Sequence, residues 1–334
     1  MVSMKLVAAR ASVSLGTVSK FLNTPNRVAP ETQTRIREAI AALGYTRNEA
    51  ARQLKSGRSR VLAFVALELN NPFFGEVAEA MERRATENDL FLTIVSAGGS
   101  AEREAEYIKL LIQQRVSGVI LASGLTGGAD LDMLVASGLP TVLMDAYPET
   151  SRFSSCSIND YAGARQAVEH LIAQNCRRIA FIGGETRTYQ ISERLRGVRD
   201  AIDTASGVEL EVIPTVDRSV MAGLSVGEEI SGRVSAERPD GIFAANDSLA
   251  IGVIEALSRN PGIAIPRDIA VVGYDDVDFV AASAVPLTSV RRPREIFGRK
   301  AVDLVCDQAE GATPIQHVHI EPELIVRASS LRLG

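Results

Sequence analysis

Two hydrophobic rhythms divide the chain. Over the first sixty residues apolar side chains recur three and four apart; from Val61 onward short apolar runs alternate with amphipathic stretches. In the first part, Ser3 is placed to cap a helix running to about Ala11, and Ser14 to cap a second from about Leu15 to Leu22, after a tight turn at Ser12–Val13. Asn23-Thr24-Pro25-Asn26 predicts a loop. Pro30 suits the first turn of a third helix, whose Ile36, Ala39, Ile40 and Leu43 share one face and which Gly44 ends. Two short helices joined by a tight turn, with a third closing the core, predict a helix-turn-helix domain over residues 1–46.

In the second part the apolar runs are Val61–Leu67, Leu90–Val95, Gly118–Ala122, Thr141–Asp145, Ile179–Ile182, Gly241–Ala245 and Ile269–Val272. Helices are predicted between them, at 73–88, 101–114, 161–174, 191–204, 223–235 and 248–258. Repeated βα units imply an α/β body of parallel sheets covered by helices. Residues 61–334 are too many for one doubly wound sheet, so two lobes are expected, with the chain crossing between them near 154–160 and 286–290. The segment 47–60, RNEAARQLKSGRSR, reads as a linker. Residues 48–54 could form two helical turns, but a helix that short is marginal alone and needs a partner.

Charge sharpens this division. The 334 residues carry a net charge of −5, from 36 Lys+Arg and 41 Asp+Glu. Residues 1–60 hold 11 basic and 3 acidic side chains, a net of +8, which leaves 25 and 38, or −13, for the rest. A basic head on an acidic body points to a nucleic-acid partner for the head alone. There is no apolar run of about eighteen residues that would span a membrane. The N-terminus lacks the apolar core of a signal peptide, so a cytoplasmic location is expected. Cys156, Cys176 and Cys306 are widely spaced and odd in number, which suits buried thiols better than disulfides or zinc.

In a helix-turn-helix the second helix lies in the major groove. Here Val18 and Leu22 are four apart and face inward, leaving Leu15, Gly16, Thr17, Ser19 and Lys20 outward. Thr17, Ser19 and Asn23 offer neutral donors to phosphate oxygens. Lys20 can reach guanine N7 and O6, while Leu15 can touch only a thymine methyl.

The order Val7-Ala8, Ala11-Ser12-Val13-Ser14, Thr17-Val18-Ser19-Lys20, Leu22-Asn23, Leu43-Gly44-Tyr45, Asn48, Ala51-Arg52 and Leu54 resembles the headpiece of the lactose repressor/galactose repressor (LacI/GalR) family. The resemblance continues through Asn71-Pro72-Phe73-Phe74, Arg194-Leu195-Arg196-Gly197, Phe243-Ala244-Ala245-Asn246-Asp247, Val272-Gly273-Tyr274-Asp275-Asp276 and Pro286-Leu287-Thr288-Ser289-Val290, and so spans essentially the whole chain. It implies a headpiece on a two-lobed body like that of periplasmic binding proteins. It also implies that Leu15, Gly16 and Lys20 read bases, that 48–54 is a hinge helix folding when two copies pair on DNA, and that Leu54 wedges into the minor groove. Asn48, Arg52, Lys55, Arg58 and Arg60 then lie where they can hold the DNA around Leu54. Two departures stand out: Gly16 offers no side chain at a base-reading position, and Ser12 replaces the glycine common in the turn.

Ligands of parallel α/β sheets bind beyond the carboxyl ends of the strands. Asp145, Asn246 and Asp275 fall at such ends, Arg194 heads a helix facing them, and Phe73 and Phe74 can supply an apolar face. Carboxylates that accept from hydroxyls, an amide that donates and accepts, and a forked guanidinium suit a small polyhydroxyl ligand. By resemblance, Arg194, Asn246 and Asp275 match effector-contacting positions. Asp247 is expected to cap its helix instead.

Other chemistry is not supported. Gly223-Leu224-Ser225-Val226-Gly227 matches a nucleophile elbow only in letters, since no strand is predicted before it. His170 reads as a surface residue. His317-Val318-His319 places two imidazoles on one strand face without a third metal ligand. No phosphate-binding glycine loop is present, so no cofactor is expected. The expected protein is not an enzyme. It is a homodimeric repressor of a near-palindromic double-stranded operator, with a sugar-like effector between its lobes and no membrane contact. The helix Arg291–Ala309, with Phe297, Ala301, Leu304 and Val305, is a candidate dimer element or lobe core, and no heptad tail for tetramers follows it. The alternatives are a solute-binding protein, which the basic head argues against, and an α/β enzyme, which lacks a partner for either cleft carboxylate.

Overall fold

A computed structural model describes residues 2–46, 59–122, 128–145, 152–184, 188–311 and 314–332. The chain separates into two compact units, Met1–Ser59 and Arg60–Gly334.

The first unit is built on α1 (Met4–Arg10), α2 (Leu15–Asn23) and α3 (Pro30–Leu43). Its core is Val7, Ala8, Ala11, Val18, Ile36 and Ala39, with Leu22, Ile40 and Leu43 packed against it. Ser14 caps α2, its hydroxyl accepting from the Thr17 N–H at 3.0 Å. Ser3 sits at the N-cap of α1 but makes no side-chain cap bond. Gly44 ends α3 in the left-handed region at φ +60°. Ser12 occupies the same region at φ +52° in the turn between α1 and α2. A glycine, having no Cβ, would take that conformation without crowding the backbone.

The second unit holds two six-stranded sheets. The first lobe carries β1 (Val61–Ala66), β2 (Phe91–Ser96), β3 (Gly118–Ala122), β4 (Thr141–Met144), β5 (Ser154–Ile158) and β11 (His317–Ile320), in the order β11-β5-β4-β3-β1-β2, all parallel. Its helices are α4 (Pro72–Glu87), α5 (Ala101–Gln113), α6 (Gly128–Ser137) and α11 (Arg294–Ala309). The second lobe carries β6 (Arg178–Gly184), β7 (Glu209–Pro214), β8 (Gly241–Ala244), β9 (Ala270–Asp275), β10 (Thr288–Arg291) and β12 (Glu323–Ile325), in the order β12-β10-β9-β8-β6-β7, with β12 alone antiparallel. Its helices are α7 (Asp160–Ala173), α8 (Tyr189–Asp203), α9 (Val220–Gly232) and α10 (Asp247–Ser258).

The two crossing regions expected from sequence are largely strand. Residues 154–158 are β5 and 288–291 are β10, each hydrogen-bonded into a sheet. The chain changes lobe just after them, and again between β11 and β12. Phe297, Ala301, Leu304 and Val305 are buried in the first-lobe core, where α11 packs on α4. They are lobe core and not an outward dimer face. Gly223 and Gly227, the glycines of the false nucleophile elbow, lie inside α9 against α10. A Cβ on Gly223 would stand 2.2 Å from the Leu249 carbonyl oxygen, so backbone contact between two helices explains the glycine.

Candidate functional site

On α2, Leu15, Gly16 and Lys20 are exposed and Thr17 and Ser19 half-buried, while Val18 is fully buried. The Asn23 amide donates to the Ser19 carbonyl at 2.8 Å and the Thr17 hydroxyl meets Ser14 Oγ at 2.8 Å. Both bonds steady the outward face of α2. Asn48, Arg52 and Leu54, with Lys55 and Arg58, lie outside the described residues. Arg60, expected at DNA, is spent within the second unit: it pairs with Asp89 at 3.0 Å and covers the Phe91 ring at 4.8 Å.

The carboxyl ends of the strands meet between the lobes. Asp145 follows β4 at φ +49°, Asp275 closes β9 at φ +109°, and Asp276 follows at φ +54°. Three aspartates held in a region that L-residues avoid mark a locus where the fold stores strain. All three are buried. Asp145 accepts from the Ile158 N–H at 3.1 Å and pairs with Arg292 across the lobes. Burial pushes its carboxyl up from the ordinary range, against the pull of Arg292. Asp275 accepts from the Asn71 amide at 3.0 Å and lies 3.4 Å from Arg292 Nη1.

Arg194 sits within α8, buried, with its guanidinium carbon 3.6 Å from the Tyr274 ring centre. Its Nε donates to Asp160 Oδ1 at 2.8 Å and Nη1 donates to the Ala245 carbonyl. Asn246 caps α10, its Oδ1 accepting from Leu249 N–H at 2.9 Å, and its Nδ2 donates to the Arg218 carbonyl at 3.0 Å. The cap is therefore Asn246. Asp247, expected in that role, instead accepts from Ser289 Oγ at 2.6 Å and from the Val277 N–H at 2.9 Å, tying β10 to α10 behind the cleft. Burial, with Asp275 nearby, raises its carboxyl well above the ordinary range. Asp276 anchors Arg291 and Arg327, at 2.8 and 2.7 Å.

Arg194, Asn246, Asp275 and Phe74 line the inner cleft. Phe73 lies fully buried beneath Arg292, its ring centre 3.8 Å from that guanidinium. Phe73 and Asp145 thus meet the cleft through Arg292. The inner volume is about 30 Å³, room for about one or two waters. It adjoins an outer groove of about 530 Å³ between Leu67–Asn70, Ser96–Gly99 and Val216–Arg218. Sequence reasoning missed Arg292, Asn71, Gln190 and the Glu68–Arg218 pair, which joins the lobes at 3.2 Å. For Arg292 the one sequence signal was its place just past the end of β10.

His170, read as a surface residue, is half-buried and bonds Ser330 Oγ at 2.7 Å. His317 Nδ1 meets Ser155 Oγ at 2.8 Å, and no metal-ligating cluster occurs among the described residues. Cys156 and Cys176 are buried free thiols, pushed up to about 12 by burial. No helix among the described residues is long and apolar enough to cross a membrane.

A helix-turn-helix unit and a two-lobed α/β unit with a polar cleft, in one chain, define a ligand-responsive DNA-binding regulator. Comparison with known proteins agrees. The model for bacterial regulatory proteins of the lacI family matches residues 3–48, and that for a periplasmic binding protein-like domain matches 168–330. An HTH-type transcriptional repressor PurR from Aliivibrio fischeri (strain ATCC 700601 / ES114) is 30% identical over 332 residues, 98% of each chain. A transcriptional regulator CelR–cellobiose complex is 30% identical with a TM-score of 0.73, over 98% of this chain and 100% of the other. A lac repressor dimer bound to operator and the anti-inducer ONPF reaches a TM-score of 0.87 at 25% identity, over 99% of both. The chain belongs to the LacI family of transcriptional regulators.

Proposed function

We propose that two copies of this chain bind a near-palindromic operator and that an uncharged sugar or sugar-like effector between the lobes relieves repression. Each headpiece reads one half-site, Leu15, Gly16 and Lys20 facing the base edges and Thr17, Ser19 and Asn23 the backbone. Asn48, Arg52 and Leu54 act at the operator centre, where two hinge segments fold together. Support for the dimer and the operator comes from the lac repressor structure, and for a sugar from the CelR–cellobiose complex.

The observation that carries the ligand class is the composition of the cleft. Three buried carboxylates, Asp145, Asp160 and Asp275, face two buried guanidiniums, Arg194 and Arg292. Among the described residues of the cleft no positive charge is spare, since Arg218 is paired with Glu68, so a phosphate or carboxylate on the ligand would be buried there without a counter-charge. Hydroxyls, which donate to the carboxylates and accept from the guanidiniums, fit both partners. A thermal-shift screen of the full chain tests this, because a ligand specific to the fold raises its apparent stability. Neutral mono- and disaccharides should include the stabilising compound. A hit confined to sugar phosphates, sugar acids or nucleobases would overturn the assignment.

A further inference from the structure

The cleft is closed by the protein's own side chains, and Arg292 is the centre of that closure. It lies where the chain passes from β10 in the second lobe to α11 in the first, and is 3% exposed. Its Nη2 donates to Asp145 at the end of β4, and its Nη1 lies 3.4 Å from Asp275 at the end of β9. One guanidinium therefore holds one carboxylate from each lobe. Its flat face rests against first-lobe aromatics, with ring centres at 3.8 Å for Phe73 and 5.6 Å for Phe297. The Asn71–Asp275 and Glu68–Arg218 contacts span the same gap further along the cleft.

The Nε of Arg292 is buried without a hydrogen-bond partner. Gln190 Oε1, in the wall of the same inner cleft, is a buried acceptor also without one. Both residues are more than nine-tenths buried, and an unmet buried donor or acceptor costs about 1–3 kcal/mol. An orphan donor and an orphan acceptor around one small void are what a ligand hydroxyl would complete, since it both accepts and donates.

We infer that Arg292 is the positioning residue that ties the two lobes together across the cleft, and that opening the cleft requires this bridge to break. This rests on the reading of the cleft as the effector site. The bridge is made by the chain's own side chains, so it can be tested apart from the identity of the effector. Without the guanidinium, Asp145 and Asp275 lose the cation that bridges them directly, which favours separation.

The test is hydrogen–deuterium exchange on the ligand-free full-length chain, followed on the opposing cleft walls, residues 66–74 and 215–219, with α5 in the first lobe as control. Arg292→Ala should speed exchange on both walls by about tenfold or more and leave α5 unchanged. Guanidinium chloride at about 10–20 mM, well below denaturing concentrations, should restore the slow exchange, whereas urea at the same concentration should not. Arg292→Lys, which keeps the charge and loses the fork, should fall between wild type and Arg292→Ala. Asp145→Asn should open the same walls without rescue by guanidinium, because no guanidinium-sized space has been vacated. Unchanged walls in Arg292→Ala, equal acceleration in α5, or failure of guanidinium to restore closure would each overturn the inference.

Discussion

Replacing Arg194 by Met should unlock the second lobe as well as empty a ligand contact. The two side chains of the Arg194–Asp160 pair are 5% and 1% exposed, with Nε to Oδ1 at 2.8 Å. Removing the guanidinium takes from buried Asp160 its hydrogen-bonded counter-charge, a loss of about 3–5 kcal/mol for breaking a buried pair. The Tyr274 ring loses a desolvated cation 3.6 Å from its centre, about 2 kcal/mol more, which the new methionine contacts partly offset. A net destabilisation of about 4–6 kcal/mol is expected, read as a shift in the urea midpoint of the full chain by circular dichroism. Asp160→Asn alone should also destabilise. The double variant should lose about 2–3 kcal/mol less than the sum, because neither charge is then stranded. A single-variant loss below about 1 kcal/mol, or strict additivity, would refute the reasoning. The practical consequence is that loss of ligand response in an Arg194 variant reports on the site only when Arg194→Met/Asp160→Asn is tested beside it.

Ser12→Gly should stabilise the first unit by up to about 1 kcal/mol, since relief of the left-handed Ser12 backbone outweighs the added chain entropy of glycine; a lower melting temperature would contradict this. Lys20→Ala should cost about 1–3 kcal/mol in operator affinity and relax discrimination at one guanine, whereas a uniform loss over all sequences would move Lys20 to a phosphate. Burial lowers the His170 pKa, so in the fold the imidazole protonates only below its unfolded value of about 6.5. The unfolded chain then binds the extra proton first as pH falls, and wild type should lose stability below about pH 6.5 relative to His170→Gln. Parallel urea midpoints for the two proteins from about pH 5 to 8 would contradict that sign.

The alternation of β and α was legible because central parallel strands are buried on both faces and read as unbroken apolar runs, as at Gly118–Ala122 and Gly241–Ala244. β5 escaped because three of its five buried positions are serines, Ser154, Ser155 and Ser157. Ser154 and Ser155 meet their needs through the Gln316 N–H and His317, which no apolar count detects. β7 is an edge strand and β12 has three residues, so neither carries a strong period. At the cleft, Asp145, Asn246 and Asp275 were found by their place at strand ends. Arg292 also stands just past a strand end, but its partner Asp145 is 147 residues away, and its role exists only once the two lobes face each other. The same remoteness hid Glu68 and Arg218. That Asn246 and not Asp247 caps α10 has a local cause, since the cap belongs to whichever residue precedes the first helical turn.

The central claim is that occupancy of the cleft and affinity for the operator are coupled. The direct measurement is the dissociation constant for a palindromic operator with and without the stabilising sugar, at fixed salt, beside the sugar's own constant with and without operator. Linkage requires the two ratios to be equal, and an inducer should weaken operator binding by about 5–150-fold. Operator affinity that is identical with the cleft filled and empty would contradict the account.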